Sequence, residues 1–190
     1  MRLSGIVFVG FLLLIVNGLS AQEEKQEINW MTWEEVELAN NIEKRKIFVD
    51  LYTDWCTWCK KMEKKTLSKP HIISYLNDHY YAVKFNAQYK DDITINGKTY
   101  TYISNGKNSY NELAVEITKG KLSFPTIIFM DSNYDVIQPL RGFIDAKKLE
   151  KMMAYFYDDY HLSTPWREFS KTYQSKHQDK PQYLIPAGGR

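Results

Sequence analysis

The sequence predicts an α/β fold, a β-sheet covered by helices. Three observations carry that prediction. Ile47-Phe48-Val49-Asp50-Leu51-Tyr52 is a nearly continuous apolar run rich in β-formers, the pattern of a strand buried on both faces. A segment of helical composition follows it directly, opening at Cys56. Strand-like and helix-like segments then succeed one another as βα and βαβ, followed by a hairpin of strands and a last helix.

Arg2, an apolar run over residues 5–16, a break at Asn17-Gly18 and the small residues Ser20-Ala21 read as a secretory signal peptide over residues 1–21. The run is about twelve residues, short of the ~20 needed to span a bilayer. An uncleaved anchor is the alternative, and no cysteine follows the run to take a lipid. Residues 22–29 form a polar lead-in to a domain over residues 30–160. Thr32-Trp33-Glu34-Glu35 matches a capping box, and Trp33, Val36, Ala39 and Ile42 predict the buried face of the helix it starts. Lys44-Arg45-Lys46 places positive charge at that helix's end.

After the strand at 47–52, a helix is expected over 56–65, a break at Ser68-Lys69-Pro70, and a second helical piece carrying Ile72, Ile73, Tyr75 and Leu76. Residues 80–86 predict another strand. The strongest hairpin signal lies at 93–102, turning at Asn96-Gly97, with Ile93, Ile95, Tyr100 and Tyr102 expected on one face. A helix over 110–118, strands at 127–130 and 136–140, and a helix over 145–156 complete the pattern. From Ser163 the chain changes character. Residues 161–190 are expected as an extension with a short helix at 166–169 and a mobile tail from Lys171.

Composition narrows the function. A net charge of +2, with both signs interspersed, gives no support for a nucleic-acid partner. Two cysteines are too few for a disulfide-stapled scaffold. A local disulfide without chemistry would stabilise little across so short a loop. His71, His79, His161 and His177 show no paired metal spacing, so no metal or cofactor is expected.

Cys56 and Cys59 carry the chemistry. Cys56 stands where a buried strand gives way to a helix, so free N–H groups and the helix dipole favour its thiolate. Residues three apart share a helix face, so Cys59 can reach back and resolve a mixed disulfide. Lys60 and Lys61 either add positive charge to that site or form an ordinary solvated face.

The segment Val49-Asp50-Leu51-Tyr52-Thr53-Asp54-Trp55-Cys56-Thr57-Trp58-Cys59-Lys60 resembles the active-site segment of thioredoxins. Phe124-Pro125-Thr126 resembles the cis-proline loop of that family, and Lys84 and Gly142 fall where thioredoxins carry a lysine and a glycine. The resemblance covers roughly residues 30–160. Within the superfamily the chain is similar to exported thioredoxin-like domains, such as the C-terminal domain of the bacterial thiol:disulfide interchange transporter. Residues 66–70 and 141–146 support that branch. The implied architecture is a thioredoxin-like fold, a central mixed β-sheet flanked by helices, with a β-hairpin insertion before the cis-proline loop.

The resemblance also implies roles. Cys56 would be the nucleophile, Cys59 the resolving thiol, and Asp50 a buried carboxylate relaying a proton to or from Cys59. The alternative for Asp50 is a structural pairing with Lys84. Trp55, Thr57, Trp58, Phe124, Pro125 and Thr126 would contact substrate, Trp55 shielding the sulfurs unless it is core. Thr57-Trp58 replaces the glycine-proline of ordinary thioredoxins. Residues 88–110 exceed what that fold needs, as a substrate-contacting flap or a decorated edge. The implied protein is a monomeric thiol:disulfide oxidoreductase of the periplasm or cell envelope. It would act on client proteins with thiols or disulfides as a reductase or isomerase, fed by a membrane electron donor. A thiol oxidase and a non-catalytic binding module are the alternatives.

Overall fold

The computed structural model describes residues 26–106 and 109–175. The expected signal peptide and the tail beyond Ser175 lie outside the described residues.

A five-stranded mixed sheet forms the centre, ordered β1-β3-β2-β8-β9. Strands β1 (Trp30–Met31), β3 (Tyr80–Asn86) and β2 (Lys46–Tyr52) run parallel, and β8 (Thr126–Met130) and β9 (Val136–Arg141) complete it antiparallel. β2 and β8 lie in the middle, buried on both faces, as the apolar run predicts. β9 is an edge strand and accommodates Pro139, whose missing N–H costs nothing there.

Alternation along β2 sends its side chains to two cores. Ile47, Val49 and Leu51 pack with Val36, Phe85, Leu113 and Ile117, beneath α1 (Trp33–Ile42) and α4 (Glu112–Ile117). Phe48 packs on the other side with Met62, Ile72, Leu76, Met153 and Phe156. Those residues belong to α2 (Thr57–Met62), α3 (Pro70–His79) and α5 (Ala146–Tyr157). Asp50 shares its parity with Phe48, so it points to the α2 side. On β3, Lys84 shares its parity with Ala82, which also belongs to that side.

The capping box at Thr32 is formed in both directions: Glu35 N–H donates to Thr32 Oγ1 at 3.2 Å and Thr32 N–H to Glu35 Oε2 at 2.8 Å. The buried face of α1 is Trp33, Val36 and Asn40 rather than the expected Trp33, Val36, Ala39 and Ile42. Ile42 is 91% exposed, because the face drifts by 3.6 residues per turn and leaves the last turn outside the core. The basic residues do not close α1 either. Lys46 begins β2, and its ammonium holds the Phe156 and Tyr157 carbonyls at the end of α5.

α2 does not continue as one regular helix. It passes into a π-helical turn over Glu63–Leu67, with buried Thr66 donating to the Ile144 carbonyl at 2.7 Å. Pro70 then starts α3 at a position where an N–H is not required. The hairpin of β4 (Ile93–Ile95) and β5 (Lys98–Tyr100) turns at Asn96 and Gly97, both with positive φ. Ile93, Ile95 and Tyr100 are buried, but Lys98 pairs with Ile95. Tyr102 leaves the hairpin for β6 (Tyr102–Ile103), which pairs with β7 (Tyr110–Asn111).

The segment after Tyr160 is more than an extension. α6 (Trp166–Thr172) buries Phe169 against Tyr155 and Tyr160, at ring separations of 5.0 and 4.8 Å. At the other end, Ile28 of the expected lead-in is buried in the same core, and Asn29 N–H bonds to Asn77.

Candidate active site

Backbone changes at the end of β2 deliver the two cysteines. Cys56 N–H donates to the Thr53 carbonyl, closing a tight turn that makes Cys56 the N-cap of α2. Its sulfur accepts the Cys59 N–H at 3.0 Å, one of the free donors of a helix start. Cys56 and Cys59 are joined in a disulfide, their Cα atoms 5.3 Å apart. Both residues are buried, while Thr57 between them is exposed.

Beneath them lies Asp50. It is 3% exposed, and its Oδ1 has no hydrogen-bond partner among the described residues. Burial pushes its pKa from 3.8 up to about 7; the nearby Lys84 ammonium pulls it down and the Glu63 carboxylate pushes it up. The expected alternative of a direct Asp50–Lys84 pair does not form. Lys84 Nζ bonds to Glu63 Oε1 at 2.6 Å. Asp50, Cys59, Lys60, Glu63 and Lys84 line one cavity of about 230 Å³, enough for several waters. The arrangement can hold a proton near neutrality and pass it through water to or from Cys59.

Two aromatic pairs border the disulfide. Trp55 is 61% exposed, so it is not core; its ring meets Phe124 edge-on at 5.7 Å, and its Nε1 donates to Gln88 Oε1 at 3.1 Å. Tyr110 lies tilted against the same Phe124, ring centres 6.0 Å apart. Trp58 is 55% exposed and lies 6.0 Å from Phe143, with Lys61 Nζ 4.3 Å from the Trp58 ring centre.

The Phe124-Pro125 bond is cis. Pro125 is buried, and its carbonyl accepts the Gly142 N–H at 2.8 Å, tying this loop to the one that carries Phe143. Gly142 has φ +86, where a side chain would be strained. Thr126 is placed differently from its expected role. It is fully buried, and its hydroxyl donates to the Ser123 carbonyl, so its side chain offers nothing to a substrate.

Sequence reasoning missed Glu63, and reached Gln88 and Tyr110 only as the bounds of the 88–110 insertion. Glu63 sits in the π-helical turn, where helical periodicity no longer predicts direction. Gln88 and Tyr110 reach the site from the insertion, with no motif to mark them. Among the described residues no cluster of His, Cys, Asp and Glu is arranged to hold a metal ion.

Comparison with known proteins agrees with this geometry. The thiol:disulfide interchange protein DsbD of Photorhabdus laumondii is 29% identical over 133 residues, covering 69% of this chain and 20% of that protein. DsbD of Cronobacter sakazakii is 34% identical over 104 residues, covering 54% and 15%. The chain thus spans a fifth or less of the length of these relatives. A thioredoxin-fold protein from Helicobacter pylori superposes with a TM-score of 0.50 at 16% identity, over 67% of this chain and 78% of that one, a likeness of fold alone. A family described as a thioredoxin-like domain matches residues 34–157. With its Cys56–Cys59 pair at the head of α2, the chain belongs to the thioredoxin-like domain family.

Proposed function

We propose that the chain is an exported thiol:disulfide oxidoreductase that reduces or isomerises disulfides in proteins of the cell envelope. The observation that carries this reading is the cavity shared by Asp50 and Cys59 directly under the redox pair. A binding module would need neither a dithiol nor a proton-holding carboxyl beside it.

In the reduced protein the Cys56 thiolate attacks one sulfur of a client disulfide, and the other client sulfur leaves as a thiolate. Cys59 then gives its proton through cavity water to the Asp50 carboxylate and attacks Cys56 Sγ. The client sulfur that had been bonded to Cys56 departs as a thiolate, and the proton taken from Cys59 stays on Asp50 until cavity water carries it away. The Cys56–Cys59 disulfide remains, and two electrons have passed to the client. A membrane electron donor would return them. Trp55, Trp58 and Phe124 border the sulfurs and supply apolar contact for the client chain, with Thr57 exposed between the cysteines.

Two features support the reductase or isomerase direction. Thr57-Trp58 places no charge between the cysteines, and buried Asp50 opposes a second negative charge beside it. The Cys59 N–H on Cys56 Sγ favours the thiolate and is the observation behind a second reading, a thiol oxidase. Export rests on the apolar segment at residues 5–16. Turbidity from insulin in dithiothreitol, with and without the protein, tests the main reading. Acceleration supports an oxidoreductase, and an unchanged lag supports a binding module.

A further inference from the structure

The two sides of the disulfide differ in charge. Towards the insertion stands an uncharged wall of Trp55, Phe124 and Tyr110. On the other side Lys61 Nζ rests 4.3 Å from the Trp58 ring centre and 5.6 Å from that of Phe143. A lysine ammonium on a four-carbon stem ordinarily samples many positions. Here two ring faces hold it at one place, through cation–π attraction.

That cation has no internal counter-ion. Among the described residues no carboxylate lies within ion-pair distance of Lys61, whereas Lys46, Lys84 and Lys98 each hold one. Lys60, Lys64 and Lys65, exposed on the same helical run, likewise have no carboxylate partner among the described residues. Trp58, the ring that holds Lys61, adjoins Cys59 in the chain. A chain bonded to Cys56 therefore passes the Trp58 ring that carries this positive charge.

We propose that this corner of Lys61, Trp58 and Phe143 selects client segments that carry an acidic side chain next to their reactive cysteine. The inference rests on the oxidoreductase reading of the same site. Lysine with tryptophan and phenylalanine also suits an anionic lipid surface. A peptide is favoured because Trp58, the ring that holds the cation, adjoins Cys59 in the chain and Phe143 packs on Trp58.

The test uses the reduced full-length chain and two synthetic peptides, each with one cysteine activated as a 2-thiopyridyl disulfide. The peptides differ only in carrying Asp or Lys beside that cysteine. Cys56 displaces neutral 2-thiopyridone, whose release gives the rate. At low salt the acidic peptide should react about 2- to 5-fold faster, the range for one exposed ion pair. The ratio should fall toward one in added salt and in Lys61→Gln. The ratio is the readout, so a general change in thiol reactivity cancels. Equal rates in the wild type, or a ratio unmoved by Lys61→Gln, would overturn the inference and leave the oxidoreductase reading intact. No release from either peptide would sink both. Co-sedimentation with phosphatidylglycerol vesicles that is lost in Lys61→Gln, without any peptide preference, would assign the corner to a membrane instead.

Discussion

The Lys84 ammonium lies 2.6 Å from the Glu63 carboxylate, while Asp50, its register neighbour on β2, keeps Oδ1 without a hydrogen-bond partner. Lys84 is the positive charge that pulls on Asp50, and Glu63 both engages it and adds a negative field of its own. Both effects oppose ionisation of a carboxyl that burial has already raised. The π-helical turn that positions Glu63 thus bears on the proton chemistry below Cys59.

Glu63→Gln should move the Asp50 titration to lower pH. The substitution removes a negative charge and releases Lys84 toward Asp50, and both changes favour the carboxylate. The midpoint, about 7 in the parent, should fall, and the pH at which mixed-disulfide release reaches half its maximum should fall with it. Carboxyl chemical shifts of labelled Asp50 would follow the first and stopped-flow kinetics the second. An unmoved midpoint would reduce Glu63 to a surface ion pair.

Asp50→Asn should raise stability in alkaline solution and slow turnover. The sign follows from proton uptake: the folded carboxyl titrates near 7 and the unfolded one near 3.8. Between those values the folded state binds the extra proton, so stability falls as pH rises and the loss is complete above about pH 7. The full cost of ionising Asp50 is on the order of 4 kcal/mol. A buried amide without partners returns about 1–3 kcal/mol of that. The variant should therefore melt higher than the parent near pH 8, and the difference should shrink and change sign toward about pH 4, where the parent carboxyl is neutral in both states and only the cost of the amide remains. Release of client from the mixed disulfide should slow near neutrality. Unchanged release kinetics would leave Asp50 structural.

Much of this architecture is legible in the sequence because local and tertiary preferences agree there. The double-sided burial of 47–52, the Thr32 capping box and the Asn96-Gly97 turn each announce themselves within a few residues. Elements fixed by tertiary contact are not legible. β1 is two residues long and exists through pairing with Ala82 and Val83. Phe169 has no periodic partners, yet an aromatic cluster captures it. The cysteines, Asp50 and the proline loop could be found because thioredoxin-like motifs mark them. Glu63 is hidden by a turn of the wrong period, and Gln88 by a contact made across loops.

Cys56 should be the thiol that clients meet. In the reduced protein its sulfur at the helix start should ionise more readily than that of Cys59, one turn inside. Iodoacetamide at about pH 7 should alkylate Cys56 several-fold faster, because the thiolate is the form that reacts. Cys59→Ala should accumulate mixed disulfides with clients on non-reducing gels, and Cys56→Ala should accumulate few. Equal alkylation rates would count against the division into nucleophile and resolver.

The reduction potential brings these forces together. The Cys59 N–H on Cys56 Sγ and the ammonium groups of Lys60 and Lys61 stabilise the reduced thiolate and make the pair more oxidising. The buried Asp50 carboxyl, negative once it ionises above about 7, opposes the thiolate and makes the pair more reducing. Exposed lysines act through water, which weakens them, whereas Asp50 acts from within the protein beside the sulfurs. The result should lie between the thioredoxin value of about −270 mV and the glutaredoxin value of about −200 mV. Equilibration in dithiothreitol buffers of graded poise, read by the fluorescence of Trp55 and Trp58, would measure it. Asp50→Asn should shift the potential upward, most clearly above neutral pH where the parent carboxyl is charged. A parent value near the roughly −120 mV of a strong periplasmic oxidant would mean that the helix start outweighs the carboxyl, and the direction of electron flow proposed above would have to be reversed.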